Sequence, residues 1–226
     1  MPVIAIANPK GGAGKSTSAL VLGTTLAAAG ASTVVLDCDP NRPILEWSKG
    51  PTRNPLAVLG DVTEREIVDV IDGEAAARQF VIVDLEGTAS RMVSRAITRA
   101  HLVVIPMQAS AVDAAQAARA VCLVQEEERV IRRSIPYRVL FTRTSPQIKT
   151  KNEKLILDEQ RSSGVQVFAT HLNQRTAFQS MFTYKLAVDE LDPGLVNGLP
   201  EAIDNATRLT GEVIQVVRGL ATKKAA

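Results

Sequence analysis

Apolar residues along this chain gather in short unbroken runs rather than alternating with polar ones. The runs are "VIAIAN" (3–8), "STVVLDCD" (32–39), "LAVLG" (56–60), "FVIVDL" (80–85), "HLVVIP" (101–106), "YRVLFT" (137–142) and "VQVFAT" (165–170). A strand with one face in water would alternate, so these read as parallel strands covered on both faces. Between them lie 15–29, 62–78, 88–100, 111–131, 147–163, 174–187 and 200–221, each long enough for a helix. The alternation predicts a doubly wound, mostly parallel α/β sheet flanked by helices. No repeat or low-complexity linker interrupts it, so residues 1–226 read as a single domain. The segment 189–199 reads as a loop before the closing helix, and "TKKAA" as a fraying end.

Composition narrows the class. With 46% hydrophobic and 22% charged residues, the chain can build the core of a soluble globular domain. Aromatics at 4% argue against a base-stacking surface. No apolar run approaches the roughly 18 residues of a membrane span. The N-terminus enters a strand without a basic leader, so a cytoplasmic protein is expected. Cys38 and Cys122 stand alone and read as reduced thiols; His101 and His171 lack metal-spaced partners and read as structural. The net charge of +2 hides an uneven distribution: residues 129–188 hold 11 Lys+Arg against 3 Asp+Glu. Such a basic block suits a polyanion partner, or else a solvated helical surface.

The chemistry starts at "NPKGGAGKST" (8–17), which follows a strand and opens a helix. That context turns a glycine cluster into a phosphate site. Gly11, Gly12 and Gly14, with Ala13 between them, let successive backbone N–H groups face phosphate oxygens at a helix N-terminus. Lys15 would reach the β- and γ-phosphates, Ser16 would ligate Mg²⁺, and Thr17 completes the motif. Pro9 stiffens the entry. Lys10 is a second lysine standing before the curl, from where its side chain points across the mouth of the site. It is either a structural lysine or one that reaches the phosphates of a second subunit in a face-to-face dimer.

Two further strand ends carry carboxylates. "DCDP" places Asp37 and Asp39 where the strand stops at Pro40, with diverging side chains and a capping role as the plain alternative for Asp37. "FVIVDLEG" is an apolar strand ending in Asp84, which would hold a Mg²⁺-bound water, with Gly87 able to offer a backbone N–H to the γ-phosphate. Glu86 receives no role: a carboxylate beside phosphate charge should point away or meet a cation. No Asn-Lys-x-Asp guanine-reading motif is present, which favours ATP over GTP.

"KGGAGKST" resembles the deviant Walker A motif of the ParA/MinD superfamily of ATPases. "LDCDPNRPILEWSKG", "FVIVDLEGTAS", "LVVIPMQASAVD", "VLFTR" and "THLNQRTAFQSMF" extend the resemblance over roughly 1–185, and the chain is most similar to small ParA proteins of the ParF type. The resemblance implies a Mg²⁺-dependent ATPase that forms a homodimer around two nucleotides, with Lys10 acting across the interface. It implies that Asp39 positions the attacking water, that Asp37 supports the metal's water shell, and that Thr142 and Arg143 meet the adenine. The residues after Asp84 depart from the prolines common in the family, leaving that segment's geometry open.

The resemblance further implies non-specific double-stranded DNA binding in the ATP state, association with the nucleoid, and a ParB-like adaptor that stimulates hydrolysis while a plasmid or other cargo is positioned. A MinD-like membrane-surface ATPase is the alternative. It would need the apolar row Leu209, Val213, Val217 and Leu220 of the closing helix to face lipid, and that row lacks Trp or Phe. A relative serving conjugation or chemoreceptor-cluster positioning is a further alternative. Iron–sulfur chemistry is excluded by the isolated cysteines.

Overall fold

The computed structural model of the chain describes residues 1–88, 90–145 and 151–225. Its strands are β1 (Val3–Ile6), β2 (Thr33–Cys38), β3 (Ala57–Leu59), β4 (Phe80–Leu85), β5 (Leu102–Met107), β6 (Tyr137–Thr144) and β7 (Leu172–Asn173). They form one seven-stranded sheet in the order β3-β2-β4-β1-β5-β6-β7, with every pairing parallel. The helices are α1 (Lys15–Ala28), α2 (Pro43–Ser48), α3 (Ile67–Ala77), α4 (Arg91–Arg99), α5 (Ala111–Ile131), α6 (Lys151–Ser162), α7 (Thr176–Tyr184) and α8 (Leu199–Ala225).

The unbroken apolar runs have a direct cause. In β1, Ile4 and Ile6 pack with α1, α7 and α8 on one face, while Val3 and Ala5 pack with α3, α4 and α5 on the other. Both faces are dry, so both parities must be apolar. Full burial of each aliphatic side chain contributes about 1.5–3 kcal/mol. Because the strands are parallel, all their carboxyl ends meet at one edge. That brings segments far apart in sequence to a single crevice beside β1, where the strand order reverses.

Three elements differ from the sequence reading. The short helix α2 was not anticipated; Pro43 starts it after Arg42, which sits at φ 48. Residues 165–170 are not a strand of the sheet but make an isolated parallel bridge, Val139 to Val167. The chain leaves β6 there because Glu212 of α8 accepts the Ala169 and Thr170 N–H groups at 2.7 and 2.8 Å. The edge strand is instead the two-residue β7. Part of the expected helix 147–163 lies outside the described residues, as does Ala89 of the expected helix 88–100.

α2 is braced against the C-terminal half of the chain. Trp47 is fully buried and its Nε1 donates to the Leu186 carbonyl at 3.1 Å. Close by, Glu190 accepts from Thr52 Oγ1, Arg53 N and Ala187 N at 2.5, 2.6 and 2.8 Å.

Candidate functional site

The loop between β1 and α1 is held from several sides. Asn8 is buried; its Nδ2 donates to the Pro106 carbonyl at 2.6 Å and its Oδ1 accepts from Lys10 N at 2.8 Å. Gln108 Nε2 donates to the Gly12 carbonyl at 3.1 Å, and Thr142 Oγ1 to the Ala13 carbonyl at 2.8 Å. With those carbonyls engaged by side chains, the loop's N–H groups are left for a ligand. Gly14 sits at φ 96, and a Cβ there would lie 3.2 Å from Thr142 Cγ2. Gly14→Ala is therefore expected to lower stability by about 1–3 kcal/mol and to weaken nucleotide binding, read by thermal unfolding and nucleotide titration.

The loop walls a cavity of about 400 Å³ lined by Gly11, Gly12, Gly14, Lys15, Ser16 and Thr17, with Asp39, Glu86, Gly87 and Arg143 opposite. Lys15 is buried, and its Nζ donates to the Lys10 carbonyl at 3.2 Å. Burial pushes its pKa down, while Asp84, Asp39 and Glu86 pull it back up. Gly87 presses on the loop: a Cβ there would lie 3.3 Å from Gly11 N and 3.4 Å from Lys15 Nζ.

Asp84 is completely buried, and among the described residues neither of its carboxylate oxygens has a hydrogen bond of good geometry, with the Ser16 hydroxyl close by. Burial pushes its pKa up to about 8; the Ser16 hydroxyl and the Lys15 ammonium oppose the shift, and Asp37 and Asp39 add to it. An orphaned buried carboxylate beside a phosphate-type loop fits a missing cation or its water shell. Among the described residues there is no cluster of three or more His, Cys, Asp or Glu able to hold a metal alone. That donor set suits a hard cation such as Mg²⁺ carried largely by phosphate and water oxygens.

The two carboxylates of "DCDP" part company. Asp37 turns to the start of α2, where its Oδ2 accepts from Ile44 N and Leu45 N, both at 2.8 Å, and its Oδ1 from Asp39 N at 3.3 Å. Burial raises its pKa, and those N–H groups restrain the rise. The capping alternative thus accounts for its contacts, and it does not line the phosphate cavity. Asp39 does line it, in a loop closed by Asn41 N and Nδ2 at 2.8 and 3.0 Å from its Oδ1.

Lys10 lies outside that cavity. Its Nζ is 2.7 Å from Asp113 Oδ2 in the first turn of α5, with the lysine side chain 32% exposed and the aspartate 2%. Burial disfavours the Asp113 carboxylate most, yet Lys10, Ser110 and the Gln108 N–H outweigh it and hold its pKa below the usual range. This partner is 103 residues away in sequence, and no local signal marked it.

On the far side of the loop, Thr142 and Arg143 line a small cavity of about 50 Å³ together with Asn173, Gln174, Arg175 and Phe178. Thr142 is buried with its hydroxyl committed to Ala13, whereas Arg143, at φ 53 in the irregular β6–β7 pairing, is exposed and lines both cavities. Arg175, which the sequence reading left without a role, has a buried Nε with no hydrogen-bond partner among the described residues. Several cations of the basic block lie at opposite ends of the sheet. Arg129, Arg132, Arg133 and Arg138 lie where α5 ends and β6 begins, Arg143 and Arg175 lie at the opposite, carboxyl end of the sheet, and Lys149 falls outside the described residues. β6 itself carries the chain from one end to the other.

The remaining candidates are structural. His101 Nδ1 accepts from Val3 N at 3.1 Å, and His171 packs against Phe141 with ring centroids 5.3 Å apart. Burial pushes the Cys38 thiol up to about 12, which leaves it unreactive. A cavity of about 730 Å³ sits at the other end of the sheet. Its Glu128 and Glu212 already accept backbone N–H groups.

Known proteins share this arrangement. The family described as CobQ/CobB/MinD/ParA nucleotide binding domain matches residues 4–188. Protein ParA of Rhizobium radiobacter is 45% identical over 185 residues, 81% of this chain and 83% of that one. Among solved structures, a Cyanothece McdA variant in complex with ATP superposes with a TM-score of 0.74 at 15% identity, covering 94% of this chain and 96% of that one. A plasmid partition protein of Borrelia burgdorferi, described as putative and bound to AMPPNP, gives 0.66 at 16% identity, covering 99% of each chain. At those identities the structures speak for the fold; the family match and the ParA relative speak for kinship. This chain belongs to the CobQ/CobB/MinD/ParA family of nucleotide-binding domains.

Proposed function

We propose that the protein is a ParA-like, Mg²⁺-dependent ATPase that dimerises around two ATP molecules, binds double-stranded DNA without sequence preference and positions a plasmid or other cargo. The observation that carries this reading is Lys10. It is half-buried, paired with Asp113 of α5 outside the phosphate cavity of its own chain, and the surface it keeps open can meet another subunit. In this scheme Gly11, Gly12 and Gly14 present N–H groups to the phosphates and Lys15 supplies charge to the β- and γ-phosphates. Lys10 compensates the partner's nucleotide, and Arg143 lies against the base. Ser16, and Asp84 through water, would hold Mg²⁺, which would supply charge neutralisation to the phosphates. Asp39 orients the attacking water, and Asp37 fixes the segment that carries it by capping α2. Orientation and charge compensation are most of what phosphoryl transfer asks of a protein.

A ParB-like adaptor would speed hydrolysis and release DNA. A nucleotide at about 100 times its Kd shifts an equilibrium by about 2.7 kcal/mol if it binds one state only, and two per dimer suffice to move a monomer–dimer balance. The apolar row of α8 favours DNA over a membrane surface. Leu209 and Val213 are fully buried in the core, and Val217 and Leu220 pack partly against it, so little is left to face lipid.

Asp39→Ala protein, slowed in hydrolysis, is expected to bind a random duplex with ATP–Mg²⁺ and not with ADP. The log–log salt slope should be about −0.9 per neutralised phosphate. Equal binding in both nucleotide states, or none in either, would remove the DNA switch from the proposal.

A further inference from the structure

Glu86 lines two cavities at once. One is the phosphate cavity; the other, about 250 Å³, lies between α4 and α5 and is walled by Val93, Ile97, Ala120 and Leu123, with Arg119 as its only cation. No hydrogen bond or ion pair engages Glu86 among the described residues, although its charge is felt by Lys15. Arg119 is exposed and held only by a 3.5 Å hydrogen bond to Gln116 Oε1, which costs little to break. A nucleoside triphosphate would bring several negative charges to the wall that Glu86 occupies. Asp39 already stands there, so an unpaired carboxylate in that position is repelled.

Resting on the ATP reading above, we propose that nucleotide binding moves the Glu86 carboxylate out of the phosphate cavity into the α4–α5 cavity, where it pairs with Arg119. Arg119 is then a positioning residue for ATP that never touches it. The apolar walls shield the Glu86 side of the pair while water reaches Arg119, so the pair is of moderate strength, and the guanidinium presents a planar fork suited to a carboxylate. Gly87 follows Glu86 immediately, and a Cβ on it would lie 3.3 Å from Gly11 N and 3.4 Å from Lys15 Nζ, so a swing of Glu86 moves backbone that lies close to the phosphate loop. The effect falls mainly on the γ-phosphate, so ATP is affected more than ADP.

The test is calorimetric titration of ATP–Mg²⁺ and ADP–Mg²⁺ into the wild type, Glu86→Gln, Arg119→Ala, Arg119→Lys and the double variant Glu86→Gln/Arg119→Ala. Arg119→Ala should weaken ATP about five- to tenfold, the range of a coupled charge pair, and ADP by less than about twofold. Arg119→Lys should recover most of the loss. In the Glu86→Gln background, Arg119→Ala should change ATP affinity no further. The proposal is overturned if Arg119→Ala leaves ATP binding intact, or if it weakens binding equally whether residue 86 is Glu or Gln, which would mean plain long-range attraction. Wild-type protein that binds no ATP would remove the ATP reading and the proposal together.

Discussion

Lys10→Ala protein is expected to bind ATP about as well as the wild type, to stay monomeric with ATP and Mg²⁺, and to turn over about a hundredfold more slowly or worse. Losing one fixed charge at a developing anion typically costs that much. The geometry separates the two lysines. Lys15 is buried at the phosphate cavity, whereas Lys10 lies outside it with its ammonium on Asp113. Removing Lys10 therefore leaves the home site intact and deprives only an apposed one. Sedimentation of the variant with and without ATP–Mg²⁺, beside single-site nucleotide titration, reads both halves. Normal dimerisation and turnover would return Lys10 to a structural role as the partner of Asp113. Releasing Lys10 from Asp113 costs about 2 kcal/mol, the worth of a charge-assisted hydrogen bond, which the proposed dimer contact would have to offset.

Asp84→Asn should act on stability and ligand binding in opposite directions. The Asp84 pKa is about 8 in the folded chain against an ordinary value of 3.8. Between those values the folded chain holds a proton that the unfolded chain has released, so stability falls as pH rises through the window and levels off above about 8. An asparagine carries no such penalty. Without ligand, the variant should melt several degrees higher than wild type at pH 8 and show a flatter pH profile from about 4 to 8, since one relieved buried charge is worth a few kcal/mol. It should also lose Mg²⁺-dependent nucleotide affinity. In the wild type, Mg²⁺ bound as proposed would displace the proton, so apparent metal affinity should climb with pH up to about 8. Thermal melts across pH, with and without Mg²⁺–ADP, distinguish these. Parallel profiles for both proteins would mean that Asp84 is not the titrating group.

The parallel sheet was legible because a strand buried on both faces must be apolar at both parities, as β1, β4 and β5 are. The phosphate loop was legible because its spacing expresses local backbone geometry. What escaped depended on distant pairings. The brevity of β7 follows from Glu212 capturing the Ala169 and Thr170 N–H groups, an interaction spanning more than 40 residues. Helix α2 is too short for periodicity to reveal, and it exists largely because Asp37 caps it. The Lys10 partner, the division of the basic block by β6, and the place of Arg175 beside Arg143 all arise only once the strands are ordered.

The burial of Trp47 has a practical consequence. It is the sole tryptophan of the chain, and its indole N–H is bonded to a backbone carbonyl 139 residues away. The protein therefore carries an unlabelled optical probe of one joint only, between the Asp37-capped helix and the segment before Glu190. A blue-shifted emission that moves to longer wavelength when nucleotide is added would time the loosening of that joint in a stopped-flow trace. An emission that stays put while the oligomer changes would show that assembly leaves this half of the molecule still.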